Sequence, residues 1–455
     1  MENSLSRRKF IGAISAATLG VAASGRSTVF AGTSDTKDTL AILGGKPVRQ
    51  NKSWPLWPQA AVNDTVVQAV EKVIKSGAWV RFDGGAQSVL QFEKDFAAML
   101  GAKYCVTTGA GTQSLQVCVE TLGIAPGDEV ITSPYTDFGT ISSILCARAL
   151  PVMVDLDRDS FQNDPAIIEK RINANTKAIM PVHIMGQPCD MDSIMAIAKK
   201  HNLPVIEDAC QAHLAEHRGK KLGTIGTLGC FSHQGSKVIG CGEGGSIVGD
   251  DDDLMEQIFT VMNKGASRKG VNERIGNKCR MHELEGALLV TTLATAKDRW
   301  KTRDENAKYL SSKLKACPGV IPQKLYPGFE SGAWWLYAMS YRKEHFNNVS
   351  RAVFIKALAA EGISFSSYIR TGLHREPWVD HMLGLKVYQQ NYSLNRLKQY
   401  REELACPVCD KICDEEMLIF NARATLLATR ADMDDVANAV MKLYENRDQL
   451  TKVTV

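Results

Sequence analysis

The sequence has no large excess of charge of one sign, no internal repeat and no long apolar run. Its formal net charge is +4 over 455 residues, and most of this excess lies in the first 31 residues, so the rest is close to neutral. A nearly neutral chain offers no electrostatic reason to bind nucleic acid or an acidic membrane. The composition, 44% hydrophobic and 23% charged, is ordinary for a soluble globular protein.

The twelve cysteines do not form a recognisable metal-binding pattern. Cys406, Cys409 and Cys413 are clustered, but no fourth ligand stands near them in the sequence. Others, such as Cys118 and Cys230, lie inside apolar strand or helix patterns, where buried thiols are common. We therefore expect structural cysteines and no metal site.

The first 31 residues have the order of a targeting signal. Arg7 and Arg8 precede a weakly apolar run over 11–23, which is too short and too rich in Gly and Ala to span a bilayer. Small residues near Ala31 offer a cleavage site, and the arginine pair followed by Phe10 resembles a bacterial twin-arginine signal. We predict a signal peptide over 1–31, export by the twin-arginine machinery and a periplasmic location. The alternatives are a chance basic start and an uncleaved anchor.

Beyond the signal, short apolar strands alternate with amphipathic helices. At 455 residues the chain exceeds one ordinary core, so two lobes are expected. The alternation predicts an α/β fold, with a mostly parallel sheet covered by helices. We predict an N-terminal arm over 32–63, a large domain over 64–300 and a smaller α+β domain over 301–455. One long helix over 281–314, with Gly286 as a weak point, is expected to bridge the two domains.

Lys237 carries the clearest chemical signal in the sequence. It ends the Ser/Gly-rich run Phe231-Ser-His-Gln-Gly-Ser-Lys237, and an apolar strand upstream ends in acid at Asp208. A lysine amine forms a Schiff base with an aldehyde, and a carboxylate beside a pyridinium nitrogen keeps that nitrogen protonated. Because ligands bind at the carboxyl ends of parallel strands, this pair predicts a pyridoxal 5'-phosphate (PLP) site.

A candidate phosphate cradle opens a helix at Gly109-Ala-Gly111-Thr112-Gln113. Free backbone N–H groups at a helix start bind anions, and glycine permits close approach. Ser232 is a candidate to add a hydroxyl to the same phosphate. The run over 240–245 matches the dinucleotide fingerprint by letter, but a strand pattern follows where that fingerprint needs a helix. His213 has two open interpretations, a contact with substrate or cofactor and a packed histidine at a strand exit.

Several motifs resemble the DegT/DnrJ/StrS-type sugar aminotransferases, and in detail the branch that contains glutamine:scyllo-inosose aminotransferases. The resemblance rests on Val205-Ile-Glu-Asp-Ala-Cys-Gln-Ala-His213 and on the run from Phe231 to Gly245. Shorter matches lie at 40–47, 111–112, 122–130, 263–265 and 280–281, so nearly everything after the signal is covered. The resemblance implies a fold type I PLP enzyme with a seven-stranded sheet, acting as a homodimer with shared active sites.

The resemblance also implies a role for each matched residue. Lys237 would be the Schiff-base lysine and proton shuttle, Asp208 would hold the pyridinium nitrogen, and Gln211 would lie at the ring hydroxyl. Asn263 and Lys278 would reach in from the partner subunit. The residues that would bind phosphate are Gly111, Thr112, Gln113 and Ser232.

Two positions depart from the family pattern. Asp137 stands where the family usually has an aromatic ring that stacks on PLP, and Tyr135 and Phe138 are the neighbouring aromatic candidates. Lys278 stands where the family usually has asparagine. A lysine there is able to pair with phosphate across the dimer, or it marks an altered site.

Together these motifs predict a PLP-dependent aminotransferase that moves an amino group from an amino-acid donor to a keto sugar or keto cyclitol. Two alternatives stay open. One is an exported PLP-fold protein that has lost transamination and binds a ligand, which the export signal and the two departures favour. The other is a PLP-dependent sugar dehydratase-like enzyme. Such relatives carry histidine in place of the lysine, so Lys237 counts against it.

Overall fold

The computed structural model describes residues 39–58, 61–82 and 87–454. The predicted signal peptide and the start of the predicted arm lie outside these residues. Asp38–Val455 form one unit, and the boundary between a large and a small domain near residue 300 stays a prediction.

The helices and strands alternate through the first two thirds of the described chain. In chain order the first ten α-helices are α1 (Asp64–Ser76), α2 (Ser88–Leu100), α3 (Gly111–Thr121), α4 (Phe138–Cys146), α5 (Pro165–Arg171), α6 (Met191–His201), α7 (Asp252–Met262), α8 (Glu283–Leu293), α9 (Ala296–Leu314) and α10 (Arg351–Ala360). They are followed by α11 (Trp378–Gly384), α12 (Lys386–Asn391), α13 (Leu394–Glu403), α14 (Pro407–Lys411), α15 (Ala422–Thr425), α16 (Arg430–Glu445) and α17 (Arg447–Leu450).

The strands are short. In chain order they are β1 (Tyr104–Thr108), β2 (Glu129–Thr132), β3 (Leu150–Met153), β4 (Thr176–Ile179), β5 (Ile206–Asp208), β6 (Glu216–His217), β7 (Lys220–Lys221), β8 (Leu228–Ser232), β9 (Gly245–Gly249), β10 (Val320–Pro322), β11 (Phe329–Ser331), β12 (Tyr337–Tyr341), β13 (Phe365–Ser366) and β14 (Met417–Phe420).

Seven of these strands form the central sheet, in the order β3-β2-β4-β5-β8-β9-β1. Strands β3, β2 and β4 pair in parallel, as do β5 and β8, and two parallel bridges, Ile179 to Val205 and Val182 to Asp208, join β5 to the strand before it. Of these seven, β9 alone runs antiparallel to its neighbours. Strands β2, β3, β5 and β8 are buried along their whole length, as sheets covered on both faces require. The predicted α/β fold with a mostly parallel seven-stranded sheet is confirmed.

A second, antiparallel sheet follows later in the chain, in the order β10-β12-β14-β13. Helices α10 and α16 supply apolar side chains to the same cluster as this sheet, including Tyr337, Phe354, Leu418 and Val440. A small sheet, β11-β6-β7, ties residues near 330 to the segment that follows β5. This contact links the late part of the chain to the region around Asp208.

The predicted single helix over 281–314 is wrong, because it is two helices, α8 and α9, and Gly286 is not the break. Arg299 Nη2 donates to the carbonyl of Thr292 over 2.8 Å. In a continuous helix, the Thr292 carbonyl would instead accept the backbone N–H of Ala296. Gly286 instead permits close packing of α8 on α2, since a Cβ there would lie 2.7 Å from the backbone nitrogen of Val89.

The clustered cysteines pack as apolar side chains. Cys406, Cys409 and Cys413 are buried in one cluster with Trp335 and Met417. Within the described residues, no group of three or more His, Cys, Asp or Glu is placed to hold a metal ion. In the same residues, no helix has the length and apolar character needed to cross a bilayer.

Candidate active site

Lys237 lies in the loop between β8 and β9. Its backbone N–H donates to the carbonyl of Gln234 over 2.7 Å, and Gln234 is bridged to Gly242, so the loop folds back on itself. The side chain is buried, with Nζ 4.0 Å from the centroid of the Trp335 ring. This packing fixes the position of the amine.

Burial lowers the pKa of the Lys237 amine, and the nearby Cys210, Asp208 and Asp137 act in the opposite direction. A lower pKa leaves a larger fraction of the amine neutral at a given pH, and the neutral amine is the nucleophile and base. The surroundings of Lys237 therefore favour the reactive form.

Asp208 ends β5 at the carboxyl edge of the sheet. Thr140 Oγ1 donates to its Oδ2 over 2.7 Å, and the backbone N–H of Cys210 donates to its Oδ1 over 3.2 Å. Thr140 is itself paired with the hydroxyl of Thr136 at 2.8 Å. Both carboxylate oxygens are thus held, one from α4 and one from the turn after β5.

The strand that carries Asp208 is anchored by a buried acid one residue earlier. Glu207 accepts backbone N–H groups of Gly223, Ile225 and Gly226 at 2.6–2.8 Å and lies 2.9 Å from His183 Nε2. Burial acts to raise the pKa of Glu207, but these hydrogen bonds hold it below its usual value. The network fixes the end of β5 rather than entering the site.

Helix α3 begins at the edge of the same site without a side-chain cap. Ala110 is its N-cap residue and makes no side-chain hydrogen bond, so the first-turn N–H groups point outward without intrahelical acceptors. Gly111 permits this start, since a Cβ there would lie 2.6 Å from the Cβ of Ser232. An uncapped helix start beside a serine hydroxyl suits a phosphate group.

These elements enclose one cavity of about 470 Å³. The predicted site residues that line it are Gly111, Thr112, Asp208, Gln211, Ser232 and Lys237. The start of α3, the end of β5 with the turn after it, and the end of β8 with the loop after it thus meet at the carboxyl edge of the central sheet. Gln211 accepts the backbone N–H of Met185 over 2.7 Å and donates to the hydroxyl of Tyr368 over 3.3 Å.

Three predicted residues do not line this cavity. Gln113 lies in the first turn of α3, and its Oε1 is buried without a hydrogen-bond partner among the described residues. Asn263 and Lys278 form a bridge with each other elsewhere, and Lys278 is exposed. Their predicted roles stay predictions, and those of Asn263 and Lys278 require a second subunit.

The aromatic wall of the cavity comes from residues that the sequence analysis missed. Trp335 and Tyr368 line the cavity and meet edge to face at 5.5 Å between ring centroids. Tyr135 is buried against Tyr368, and Phe138 packs on a tryptophan at the surface, so neither aromatic candidate lines the cavity. Both missed residues lie far along the chain, and a Trp-Trp pair before an apolar strand was the available signal.

His213 is packed in the core rather than placed in the cavity. It lies between Phe96, Phe231 and His233, with ring centroids 5.3–6.4 Å away. Burial lowers its pKa well below the usual value for histidine. His233 is equally structural, since its ring nitrogens contact the Ile239 carbonyl and the Ser246 hydroxyl at 3.0 and 2.9 Å.

The groups around the cavity fit PLP. A buried amine, an anchored carboxylate and an uncapped helix start line one space of suitable size, and Gly111 leaves the helix start free of side-chain atoms. PLP, when bound, supplies an aldehyde and an electron-withdrawing ring that stabilises negative charge at the adjacent carbon. Lys237 would hold the aldehyde, Asp208 the ring nitrogen, and α3 with Ser232 the phosphate.

Comparison with known proteins gives a consistent result. Residues 61–420 match the sequence model of the DegT/DnrJ/EryC1/StrS aminotransferase family. An L-glutamine:2-deoxy-scyllo-inosose aminotransferase of Streptoalloteichus tenebrarius is 33% identical over 431 residues, which is 90% of this chain and 99% of that protein. A protein of the same name from Streptomyces paromomycinus is 33% identical over 433 residues, 91% and 99% of the two chains. A solved aminotransferase from Psychrobacter cryohalolentis is 28% identical with a TM-score of 0.73, covering 87% of this chain and 99% of its own.

Proposed function

Because the chain belongs to the DegT/DnrJ/EryC1/StrS aminotransferase family, we propose that it takes its amino group from glutamine and transfers it to a keto cyclitol. It is a PLP-dependent aminotransferase acting on a keto sugar or cyclitol. The observation that carries the finer assignment is the match, over 99% of their length, to relatives named for glutamine and 2-deoxy-scyllo-inosose.

The residues of the cavity have separate roles in this reaction. Lys237 takes a proton from the donor's α-carbon and returns one to the acceptor side, and its burial keeps the amine available as a base. Asp208, held by Thr140, keeps the ring nitrogen protonated. Trp335 and Tyr368 line the cavity with aromatic rings, which exclude water from the surface they occupy. Each role is performed by a group whose position is fixed by other contacts.

The protein is further proposed to act as a homodimer with active sites shared between subunits. Asn263 and Lys278 do not line the cavity of their own chain, which leaves them available for the site of a partner subunit. Two exposed apolar side chains occur close to this segment: Ile275, three residues before Lys278, is 97% exposed, and Phe82, whose ring centroid lies 5.1 Å from the guanidinium carbon of Arg280, is 47% exposed. Exposed apolar surface of this kind favours association. Sedimentation equilibrium of wild type and Ile275→Asp tests this, and a wild-type monomer at micromolar concentration contradicts it.

Export by the twin-arginine pathway is proposed for the N-terminal segment. The support is the order of basic, apolar and small residues over 1–31. That pathway carries folded proteins, which suits an enzyme that needs its cofactor bound. The proposed export is tested by fractionating cells that express either the full chain or a variant with both Arg7→Lys and Arg8→Lys. Wild type in the periplasm and the variant in the cytoplasm support export, and the same location for both contradicts it.

The proposed donor and acceptor are tested by tracing the transferred nitrogen atom with an isotope label. Enzyme loaded with PLP is given α-¹⁵N-glutamine and 2-deoxy-scyllo-inosose, and the amine product is analysed by mass spectrometry. The proposal predicts ¹⁵N in an aminocyclitol, with rates reduced at least about 100-fold in Lys237→Ala. A nucleotide-linked keto sugar serves as the competing acceptor. Label that enters this sugar and not the cyclitol contradicts the cyclitol assignment but leaves the aminotransferase intact.

A further inference from the structure

Three arginines lie around Trp57, behind the loop that carries Lys237. The guanidinium carbons of Arg299 and Arg303 are 5.8 and 5.9 Å from the Trp57 ring centroid, and Arg303 Nη1 donates to the carbonyl of Arg423 over 3.4 Å. Within the described ranges none of the three has an acidic partner at ion-pair distance. Two guanidinium groups therefore lie beside Trp57, and Arg423 lines the same cavity as that ring.

Arg303 is the most deeply placed of the three. It is 1% exposed, and its Nε has no hydrogen-bond partner among the residues that the structure describes. Burial lowers its pKa to about 9, and the charge of Arg299 acts in the same direction. A buried cation without an acidic partner is costly to a fold, so this positive region favours an incoming anion.

A cavity of about 480 Å³ adjoins the cluster, and we call it the Trp57 chamber. Its walls include the rings of Trp54, Trp57 and Phe420, and Arg423 is the charged residue that faces it. Trp57 also lines a neighbouring cavity of about 240 Å³, to which Arg299 contributes. No Asp or Glu of the described chain lines either cavity.

We propose that the Trp57 chamber binds a small organic carboxylate. The guanidinium of Arg423 contacts the carboxylate, and the tryptophan rings pack on an apolar or planar body. A guanidinium matches the two oxygens of a carboxylate in a planar fork. Apolar walls around a few polar groups are typical of sites for organic ligands, and they disfavour strongly hydrated inorganic phosphate.

The chamber also touches the backbone directly before Lys237. Trp57 Nε1 donates to the carbonyl of Gly235 over 3.1 Å. The carbonyl of Ser236 accepts from Arg423 Nη1 at 3.2 Å and from Trp335 Nε1 at 2.9 Å. Arg423 therefore holds the backbone of the residue before the lysine, and Ser236 lies on the wall of both this chamber and the main cavity. The proposal does not depend on which donor or acceptor the enzyme uses.

Isothermal titration calorimetry of the PLP-loaded enzyme tests the proposal with benzoate as the probe. Benzamide, its uncharged analogue, and inorganic phosphate are the comparison ligands. We expect benzoate to bind once per chain and both comparison ligands to bind at least about ten-fold more weakly, since charge-assisted hydrogen bonds carry this difference. Arg423→Gln is expected to weaken benzoate about ten-fold or more, and Arg423→Lys by less. Arg430→Gln, an exposed arginine elsewhere, is the matched control and binds as wild type.

Several results overturn the proposal. Benzoate binding that is unchanged in Arg423→Gln places the ligand elsewhere, such as in the main cavity. Phosphate binding as tightly as benzoate contradicts the assignment to organic carboxylates. If wild type does not bind benzoate and Arg423→Gln dissociates into monomers, the arginines serve a subunit contact instead. Should Arg423→Gln fail to fold, Arg423→Lys carries the test, and undiminished benzoate binding in that variant counts against the chamber.

Discussion

Thr140 Oγ1 donates to Asp208 Oδ2 over 2.7 Å, and this bond joins helix α4 to the acidic end of β5. Thr140 follows three residues after Asp137, whose side chain caps the same helix by accepting the N–H of Gly139 over 2.8 Å. The helix that carries the unusual aspartate therefore also orients the carboxylate that holds the cofactor ring. A substitution of Asp137 is therefore expected to shift Thr140 and with it the carboxylate of Asp208.

Thr140→Val is expected to weaken PLP binding about ten-fold, because a hydrogen bond to a charged group contributes roughly 1.5–3 kcal/mol. The dissociation constant is measured from the visible absorbance as PLP is added to the cofactor-free enzyme. Thr140→Ser keeps the hydroxyl and is expected to bind within about two-fold of wild type. Equal affinities for all three proteins would show that the bond does not support the cofactor.

Asp137→Asn is expected to lower the pKa of Lys237 further, because the charge of Asp137 opposes the effect of burial on that amine. Asparagine also caps helices, so the fold is preserved. Competitive chemical labelling of Lys237 in the cofactor-free enzyme, followed by mass spectrometry across pH, gives the pKa. Glu243→Gln removes another acid from the wall of the same cavity and is expected to have less effect. A higher Lys237 pKa in Asp137→Asn than in wild type would contradict the expected effect of the Asp137 charge.

Gly111→Ala is expected to weaken PLP binding and to lower the melting temperature. The added Cβ would lie 2.6 Å from the Cβ of Ser232, so the start of α3 must move from its place beside β8. Gly384→Ala is the control, because a Cβ there meets no atom within 4 Å and alanine favours a helix by up to about 1 kcal/mol. Thermal melts with and without PLP compare the two variants. A Gly111→Ala protein that binds PLP normally would mean that the helix start does not form the phosphate site.

Stability is expected to fall as pH drops from about 6.5 to about 4, in part because of His233. Burial lowers the pKa of His233 to about 4, whereas in the unfolded chain it is about 6.5. Below 6.5 the unfolded state binds the proton and the folded state does not, so the free energy of unfolding decreases by up to about 3 kcal/mol. Urea unfolding of wild type and His233→Asn across this range is expected to give a shallower pH slope for the variant. His345→Gln, at an exposed position, is the control and keeps the wild-type slope.

The meeting of Lys237 and Asp208 was predictable because each residue ends a recognisable run and the fold brings the carboxyl ends of parallel strands to one edge. The presence of Gly111 and Ser232 at the same site was predictable for the same reason. Thr140 was not predictable, because a threonine inside an apolar helix gives no signal of its partner. Trp335 and Tyr368 lie roughly a hundred residues beyond the lysine, and only folding places them on the same cavity.

The fold was predictable to a similar depth. The seven central strands follow from apolar runs between helical patterns, and the antiparallel setting of β9 does not, because strand direction depends on connections. At the break between α8 and α9 the Arg299 side chain donates to the carbonyl of Thr292, a contact that no sequence pattern indicates. Helical periodicity continues across that point, so the pattern alone favoured one helix.

Reduction of the PLP-loaded enzyme with sodium borohydride, followed by peptide mass spectrometry, is the most direct measurement. We predict that the reduced cofactor is attached to the peptide containing Lys237 and to no other, and that Lys237→Ala gives no labelled peptide. Labelling of a different lysine, or an unlabelled Lys237 peptide from enzyme that retains the cofactor's colour, would contradict the assignment of this cavity as the catalytic site.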